Sequence, residues 1–220
     1  MTDMASSPAA TAPVDDFFVR ARTRLRLDVP PALADPAAGA KRGDLDLDPY
    51  LWQRAGVQAT RPAAVLVPVV DRPQPQVLLT VRTELPSHPG QIAFPGGKID
   101  PRDRTPAEAA LREAQEEIGL RRELIEPIGY LDLYLTFSGY RILPTVARVA
   151  SGYELTLCRA EVADAFEVPL EFLMDAQNHT LHSREWKGIT RKYYVMPFGE
   201  RYIWGITAGI LRNLYERIYE

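Results

Sequence analysis

Residues 94–120 read FPGGKIDPRDRTPAEAALREAQEEIGL, a glycine turn followed by a helix marked at both ends. Thr105 suits the N-cap, Pro106 the first helical position, and Glu108 stands where a capping box needs an acid. Gly119 supplies the left-handed residue on which a helix stops. At about 100° per residue, Ala107, Ala110, Leu111, Ala114 and Ile118 share one face, and Glu113, Glu116 and Glu117 are expected on the opposite one. Like charges three or four positions apart cost a helix about 0.2–0.5 kcal/mol per pair. A divalent cation removes that cost, and a hard ion such as Mg²⁺ sits between carboxylates and a substrate phosphate. Read alone, REAQEE is a solvated helix face. What sets it apart is its setting between a double glycine and a closing glycine.

Just upstream, LLTVRTELPSHPGQIAFPGG (Leu78 to Gly97) offers a cation at Arg82, an imidazole at His88 and an amide at Gln91. A guanidinium matches phosphate oxygens in a forked geometry. The plain alternative for Arg82 is a surface ion pair with Glu84, and for His88 a loop position without special role. Further upstream, Ala63 to Val70 (AAVLVPVV) reads as a core strand, with Pro68 pointing to an edge or a bulge. The turn DRPQPQ joins it to a second strand, Val77 to Thr83, as a hairpin.

Downstream of the helix, Ile128 to Thr136 and Ile142 to Ala150 read as strands around the turn FSGYR. RAEVADAFEVP reads as a turn, and His179 to Trp186 with Arg191 to Phe198 as a hairpin around Lys187-Gly188. Tyr202 to Tyr219 reads as a closing helix, with Ile203, Thr207, Ile210, Leu211, Leu214 and Ile218 at helical spacing. At the other end, residues 1–13 are small, polar and proline-bearing and are expected to be disordered. Asp15 to Leu27 reads as a short amphipathic helix burying Phe17, Phe18, Ala21 and Leu25, and residues 28–48 as an irregular arm. From Pro49, where Leu51 and Trp52 read as packing residues, to residue 220 the chain reads as one domain. These elements make a mixed β-sheet with helices on its faces, an α+β or α/β/α architecture.

The 220 residues carry a net charge of −3, with no basic excess that would suit nucleic acid or an anionic membrane. A single cysteine, Cys158, can form neither an internal disulfide nor a thiolate metal cluster, and reads as a small core residue in a reducing compartment. No apolar run approaches the ~18–20 residues of a membrane span, and the first residues lack a basic segment followed by an apolar one. A cytoplasmic location is expected.

The helix and its turn resemble the signature of the Nudix hydrolases, G-x5-E-x7-R-E-U-x-E-E-x-G-U with U aliphatic. Gly97, Arg112, Glu113, Glu116, Glu117, Gly119 and Leu120 match. Asp103 stands where the first glutamate is expected, one extra residue separates it from Arg112, and Ala114 is small for its aliphatic position. The upstream segment resembles the second signature of the coenzyme A pyrophosphatase branch, L-L-T-x-R-S, an Arg, then G-Q ahead of F-P-G-G. Leu78, Leu79, Thr80, Arg82, Gly90, Gln91 and Phe94 to Gly97 match it, Thr83 replaces the serine, and the internal arginine is missing. IWGITA (Ile203 to Ala208) is also similar to that branch.

The resemblance implies an α/β/α sandwich with a mixed sheet, and a hydrolase of nucleoside diphosphates linked to another moiety. It implies Mg²⁺ or Mn²⁺ on Glu113, Glu116 and Glu117, with the Gly97 carbonyl as a further ligand. One of these glutamates, or a loop acid such as Glu161, activates the water; Asp164 and Glu167 are its neighbours and equal candidates. Arg112 orients a motif carboxylate, with Asp103 in the supporting role of the missing glutamate, while Arg82, His88 and Gln91 meet the substrate. Tyr134, Phe137 and Tyr140 read as packing residues, any of which could stack on a base. The implied substrate is coenzyme A or an acyl-CoA, cut to 4′-phosphopantetheine and adenosine 3′,5′-bisphosphate. ADP-ribose, dinucleotides or modified nucleoside triphosphates remain open, as does a non-catalytic nucleotide sensor. The expected partner is therefore a small nucleotide, and homodimers are common in the family.

Overall fold

The computed structural model describes residues 16–35, 42–44, 46–47, 60–83, 90–186 and 189–220. Expectations for residues 1–13, Leu51, Trp52, Glu84, His88 and the Lys187-Gly188 turn lie outside them. The frame is β2 (Arg61–Asp71), which follows the two-residue β1 (Arg42–Gly43). Its side chains alternate between two cores, because successive residues of a strand point to opposite faces. Ala64, Leu66 and Val70 face one cluster; Ala63, Val67 and Val69 face the other. The hairpin is as expected: β3 (Gln76–Arg82) pairs antiparallel with β2, Val69 opposite Val77.

Pro68 marks neither an edge nor a bulge. β2 is central, paired in parallel and without interruption with β8 (Tyr140–Ala150), Pro68 opposite Ala147. Its other side meets β5 (Gly96–Lys98) through Val65 and β3 from Val69 onward, so Pro68 falls in the stretch that neither strand covers. A missing N–H costs nothing there. The strand expected at Ile128–Thr136 is split into β6 (Ile125–Tyr130) and β7 (Tyr134–Leu135), both antiparallel to β8. RAEVADAFEVP is mostly strand: β9 (Val162–Pro169) pairs antiparallel with β3 along its length. The two-residue β4 (Ile92–Ala93) covers the far end of β3, giving a mixed sheet of nine strands among the described residues.

On one face lies α2 (Pro106–Ile118), which buries Leu111 and Ile118 and presses Ala109, Ala110 and Ala114 against β2. Burying each large aliphatic side chain contributes about 1.5–3 kcal/mol, and the alanines let the helix approach the sheet closely. On the other face lie α1 (Asp16–Arg24), through Phe17 and Ala21, and α4 (Ile206–Tyr219), through Ile210, Leu211 and Leu214. This is the expected α/β/α sandwich. The short α3 (Leu170–Leu173) leads to a second, three-stranded sheet of β10 (Thr180–Trp186), β11 (Ile189–Phe198) and β12 (Arg201–Trp204). Tyr202 to Trp204 are thus strand rather than helix, and α4 begins only after Gly205 turns the chain at φ 64°. Among the described residues no helix is long and apolar enough to cross a membrane.

Candidate active site

The ends of α2 fix where its acids stand. The Thr105 hydroxyl accepts from the Glu108 N–H at 3.1 Å, as a cap should. The reciprocal half of the capping box is displaced by one residue: the Glu108 carboxylate accepts from the Arg104 N–H at 2.9 Å. Gly119 closes the helix at φ 69°, its N–H reaching the Ala114 and Gln115 carbonyls. A Cβ there would also stand 2.9 Å from the Thr156 nitrogen, so the position needs glycine twice over.

The three motif glutamates do not share one face. Glu116 points away from the sheet, with 59% of its side chain exposed. Glu117 is buried, only 3% exposed, at the margin of the apolar stripe. Glu113 lies between them, its carboxylate packed where a Cβ on Gly97 would come within 2.6 Å. Glu117 accepts from the Gly96 N–H at 3.2 Å. Two carboxylates therefore converge on Gly96-Gly97, which begins strand β5 rather than forming the expected turn, and the third does not. Among the described residues, no three acidic, histidine or cysteine side chains already form a metal-binding cluster.

Burial pushes the Glu117 carboxyl up to about 7, against the Gly96 N–H and the Arg82 charge; Glu113 and Glu161 push it further. The Arg82 guanidinium stands 4.0 Å from Glu117 and faces the buried acid; the alternative partner, Glu84, lies outside the described residues. A carboxylate in this position is destabilised as an anion because burial strips its water and the one nearby guanidinium does not make up the loss. That donor set, two oxygen-bearing side chains beside the Gly97 carbonyl at the start of β5, fits a hard divalent ion.

Arg112 organises the outer side. Its guanidinium donates to both oxygens of Asp103 at 3.0 and 2.9 Å, to Glu113 at 2.8 Å and to Glu116 at 3.0 Å. Asp103 also accepts from the Asp100 N–H at 2.8 Å, and its pairing with Arg112 holds its carboxyl below the ordinary range. Asp103 thus does from a shorter side chain what the extra residue before Arg112 makes reachable.

Glu161 sits one residue before β9, exposed, in a turn tied to both neighbours of the site. Its carbonyl accepts from the Thr83 N–H at 3.0 Å, and its N–H donates to the Cys158 carbonyl at 2.9 Å, while the Cys158 N–H donates to the Glu117 carbonyl at 2.8 Å. Its rivals are occupied elsewhere: Asp164 pairs with Arg201, and Glu167 with Arg72 and the Tyr153 hydroxyl. Glu161 makes no ion pair among the described residues. Gln91 stands opposite Arg82, its carbonyl accepting the Arg82 N–H at 3.0 Å. Tyr134 is buried, whereas Phe137 and Tyr140 are half-exposed and lie under Arg191 and Arg61.

The NUDIX domain family matches residues 60–189, more than half of the chain. A protein of Yersinia pestis (strain Pestoides F), named as an uncharacterized Nudix hydrolase NudL, is 39% identical over 160 residues, covering 72% of this chain and 80% of its own length. The chain belongs to the Nudix hydrolase family. Among solved structures, a Nudix hydrolase from Alicyclobacillus acidocaldarius matches with a TM-score of 0.46 and 21% identity, over 71% of this chain and 91% of the other. An Ap4A hydrolase of C. elegans matches with a TM-score of 0.42 and 22% identity, over 50% and 80%. The Nudix motif is thus the part of the chain from Gly97 to Leu120, and the residues around Arg42 and beyond Ile189 lie outside the matched domain. Sequence reasoning singled out none of the cations Arg42 and Arg191, which lie there, nor Arg184, near the end of the matched range. The alternation of bulky and basic residues in SREW and TRKYY was their one visible sign.

Proposed function

We propose that the protein is a metal-dependent diphosphatase that hydrolyses coenzyme A or acyl-CoA to 4′-phosphopantetheine and adenosine 3′,5′-bisphosphate. The observation that carries this reading is the buried Glu117 carboxylate, held by the Gly96 N–H and faced by Arg82, a residue of the segment resembling the coenzyme A branch. Glu113 and Glu117 would hold Mg²⁺ or Mn²⁺ beside the Gly97 carbonyl, with Glu116 completing the set. A bound divalent ion screens the diphosphate charge and makes an attacking water more acidic.

The chain's own residues do the rest. Arg112 binds three carboxylates at once and so keeps Glu113 and Glu116 from swinging away when the site is empty of substrate. Arg82 offers its forked donors to a phosphate oxygen that enters beside Glu117. Glu161, exposed and unpaired among the described residues, takes the proton of the attacking water. Gln91 orients the substrate from the strand next to Arg82, and His88 belongs to the same segment. A nucleotide sensor without catalysis is disfavoured by the presence of all three glutamates.

The test is a panel of CoA, acetyl-CoA, ADP-ribose, NADH and nucleoside triphosphates with Mg²⁺ or Mn²⁺, with products identified by mass. CoA should be cut to the two products named, with other substrates slower. CoA left intact while ADP-ribose or a dinucleotide turns over would transfer the reading to that substrate; no turnover of any member would favour the sensor.

A further inference from the structure

A cavity of about 560 Å³ opens on the α4 side of the sheet, and most of its lining comes from outside the matched Nudix domain. Its walls are the arm at Arg42–Asp44, the loop at Phe137, the β10–β11 hairpin and the start of α4. Its volume suits a nucleotide-sized group. Gln91 belongs to the wall, and its carbonyl holds the Arg82 N–H, so the cavity begins beside the residue that faces Glu117.

The lining is strongly basic: five cations (Arg42, Arg184, Arg191, Lys192, Arg212) stand against two acids, Asp44 and Asp46. Arg42 and Arg212 both pair with Glu216, and Arg191 is under the charge of Asp44. Arg184 and Lys192 make no ion pair among the described residues. Arg184 stands directly opposite Arg191 in the β10–β11 register, an arrangement that costs a sheet stability because like charges face each other. Arg191 lies 3.5 Å over the Phe137 ring, and the Tyr193 and Trp204 rings pack 5.5 Å apart in the same wall. Opposed guanidiniums beside aromatic faces are what a phosphorylated nucleoside needs, the forks for the phosphate and the rings for the base.

We propose that Arg184 and Arg191 are specificity-determining residues that bind a phosphomonoester on the nucleoside end of the substrate, remote from the diphosphate that is cut. This rests on the coenzyme A reading, in which the 3′-phosphate of the adenosine is that group. The hairpin then selects for the third phosphate, while the carboxylates of α2 act on the other two.

The deciding measurement is calorimetric binding of adenosine 3′,5′-bisphosphate and of AMP, which differ by the 3′-phosphate alone, to the metal-free protein. The wild type should bind the bisphosphate about tenfold or more tightly, as expected for a charge-assisted contact. Arg184→Gln, at an exposed position that leaves the fold intact, should erase that difference; Arg191→Gln should do the same and Arg191→Lys restore part of it. In parallel, kcat/KM with Mg²⁺ is compared for CoA and dephospho-CoA. The variants should lower it about tenfold for CoA, mainly through KM, and leave dephospho-CoA unchanged. Equal binding of the two nucleotides by the wild type, or equal losses for both in the variants, overturns the proposal even if CoA is hydrolysed. A bisphosphate preference that Arg184→Gln removes sustains it even if CoA is not, in which case the coenzyme A reading alone fails.

Discussion

The carboxylate face of α2 and the basic cavity beside the β10–β11 hairpin differ first in how far apart in the chain their residues lie. Gly97, Asp103, Arg112, Glu113 and Glu117 fall within 21 residues, and their mutual bonds are set by one capped helix and the turn before it. The cavity draws on Arg42, Gln91, Phe137, Arg184, Arg191 and Trp204, brought together only when two sheets and α4 have packed. The first region holds an excess of negative charge around a buried acid, the second an excess of positive charge. A substrate with anionic phosphates along its length needs both, the acids through a cation and the basic residues directly. On the proposed reading, a local device on α2 sets the reaction and an assembled one beside the hairpin sets the partner.

The sharpest way to break that division is at Glu117. Glu117→Gln should lower kcat by about 10³-fold or more with Mg²⁺, the scale of loss seen when a group acting as part of a catalytic unit is removed. A variant that retains full activity would sink the metal-site assignment. The same change should stabilise the metal-free protein. With a folded value of about 7 against an ordinary 4.5, the carboxyl is uncharged in both folded and unfolded chains at low pH. Between about pH 4.5 and 7 the unfolded chain loses its proton while the folded one keeps it, so the fold weakens across that window and stays weakened above it. Glu117→Gln removes a penalty of about 3 kcal/mol at pH 7.5, readable as a rise in Tm that disappears near pH 4.5. Glu116, already in solvent, should show the activity loss without the stabilisation.

The next effect is at Gly97. A Cβ there would stand 2.6 Å from the Glu113 carboxylate, so Gly97→Ala must move the acid. Activity should fall about 10–100-fold, because small misplacements at a site are costly, with little loss of stability, since the atoms displaced are the far end of a flexible side chain. Half-maximal activity should need more Mg²⁺; an unchanged metal requirement would mean that Glu113 is not a ligand. A smaller effect is expected from Asp103→Asn, which replaces the carboxylate in the two-bond clasp on Arg112. Loss of about tenfold in kcat with little change in KM is expected if Asp103 positions Arg112, and Asp103→Glu should recover part of it.

Legibility in the sequence divides along the same line. The cap at Thr105, the stop at Gly119 and the helix between them need only neighbours in the chain, and each is where residues 105–119 place it. Glu117 is misplaced by periodicity because 100° steps put it near the margin of the stripe, and only the Gly96 N–H across the turn shows which way it faces. Pro68 misleads for a related reason: whether a missing N–H matters depends on which strands flank it, and the gap between β5 and β3 is a property of the whole sheet. Val162–Pro169 carries weak alternation and two acids, and becomes a strand because β3 offers it an edge. Tyr202–Trp204 shares helical spacing with residues 206–219 but is claimed by β11 before Gly205 breaks the chain. Arg184 and Arg191 are legible as residues, whereas their opposition across β10 and β11 is not.

The smallest expected effect contrasts the two regions by their response to acid. His179, just before β10, donates from Nε2 to the Leu173 carbonyl at 2.7 Å and packs edge-on against Tyr215 with ring centres 5.4 Å apart. Its Nδ1 is buried with no hydrogen-bond partner among the described residues. A proton there would bring a charge into a place with no acceptor, and burial accordingly lowers the His179 basicity. Above about pH 6.5 the imidazole is neutral in the folded and unfolded chains alike and no penalty exists. As pH falls below that, the unfolded chain takes up a proton that the folded one refuses, and stability falls by up to about 1.4 kcal/mol per pH unit until the folded site also titrates. The metal-free α2 side gains stability over the same descent, as Glu117 is relieved. The Tm of His179→Gln should therefore fall less than that of the wild type between pH 6.5 and 5, by a few degrees. Hydrogen exchange over that range should loosen β10 and tighten the end of α2 in the wild type. Parallel behaviour of the two segments would mean that the buried acid and the buried base are not tuned in opposite senses.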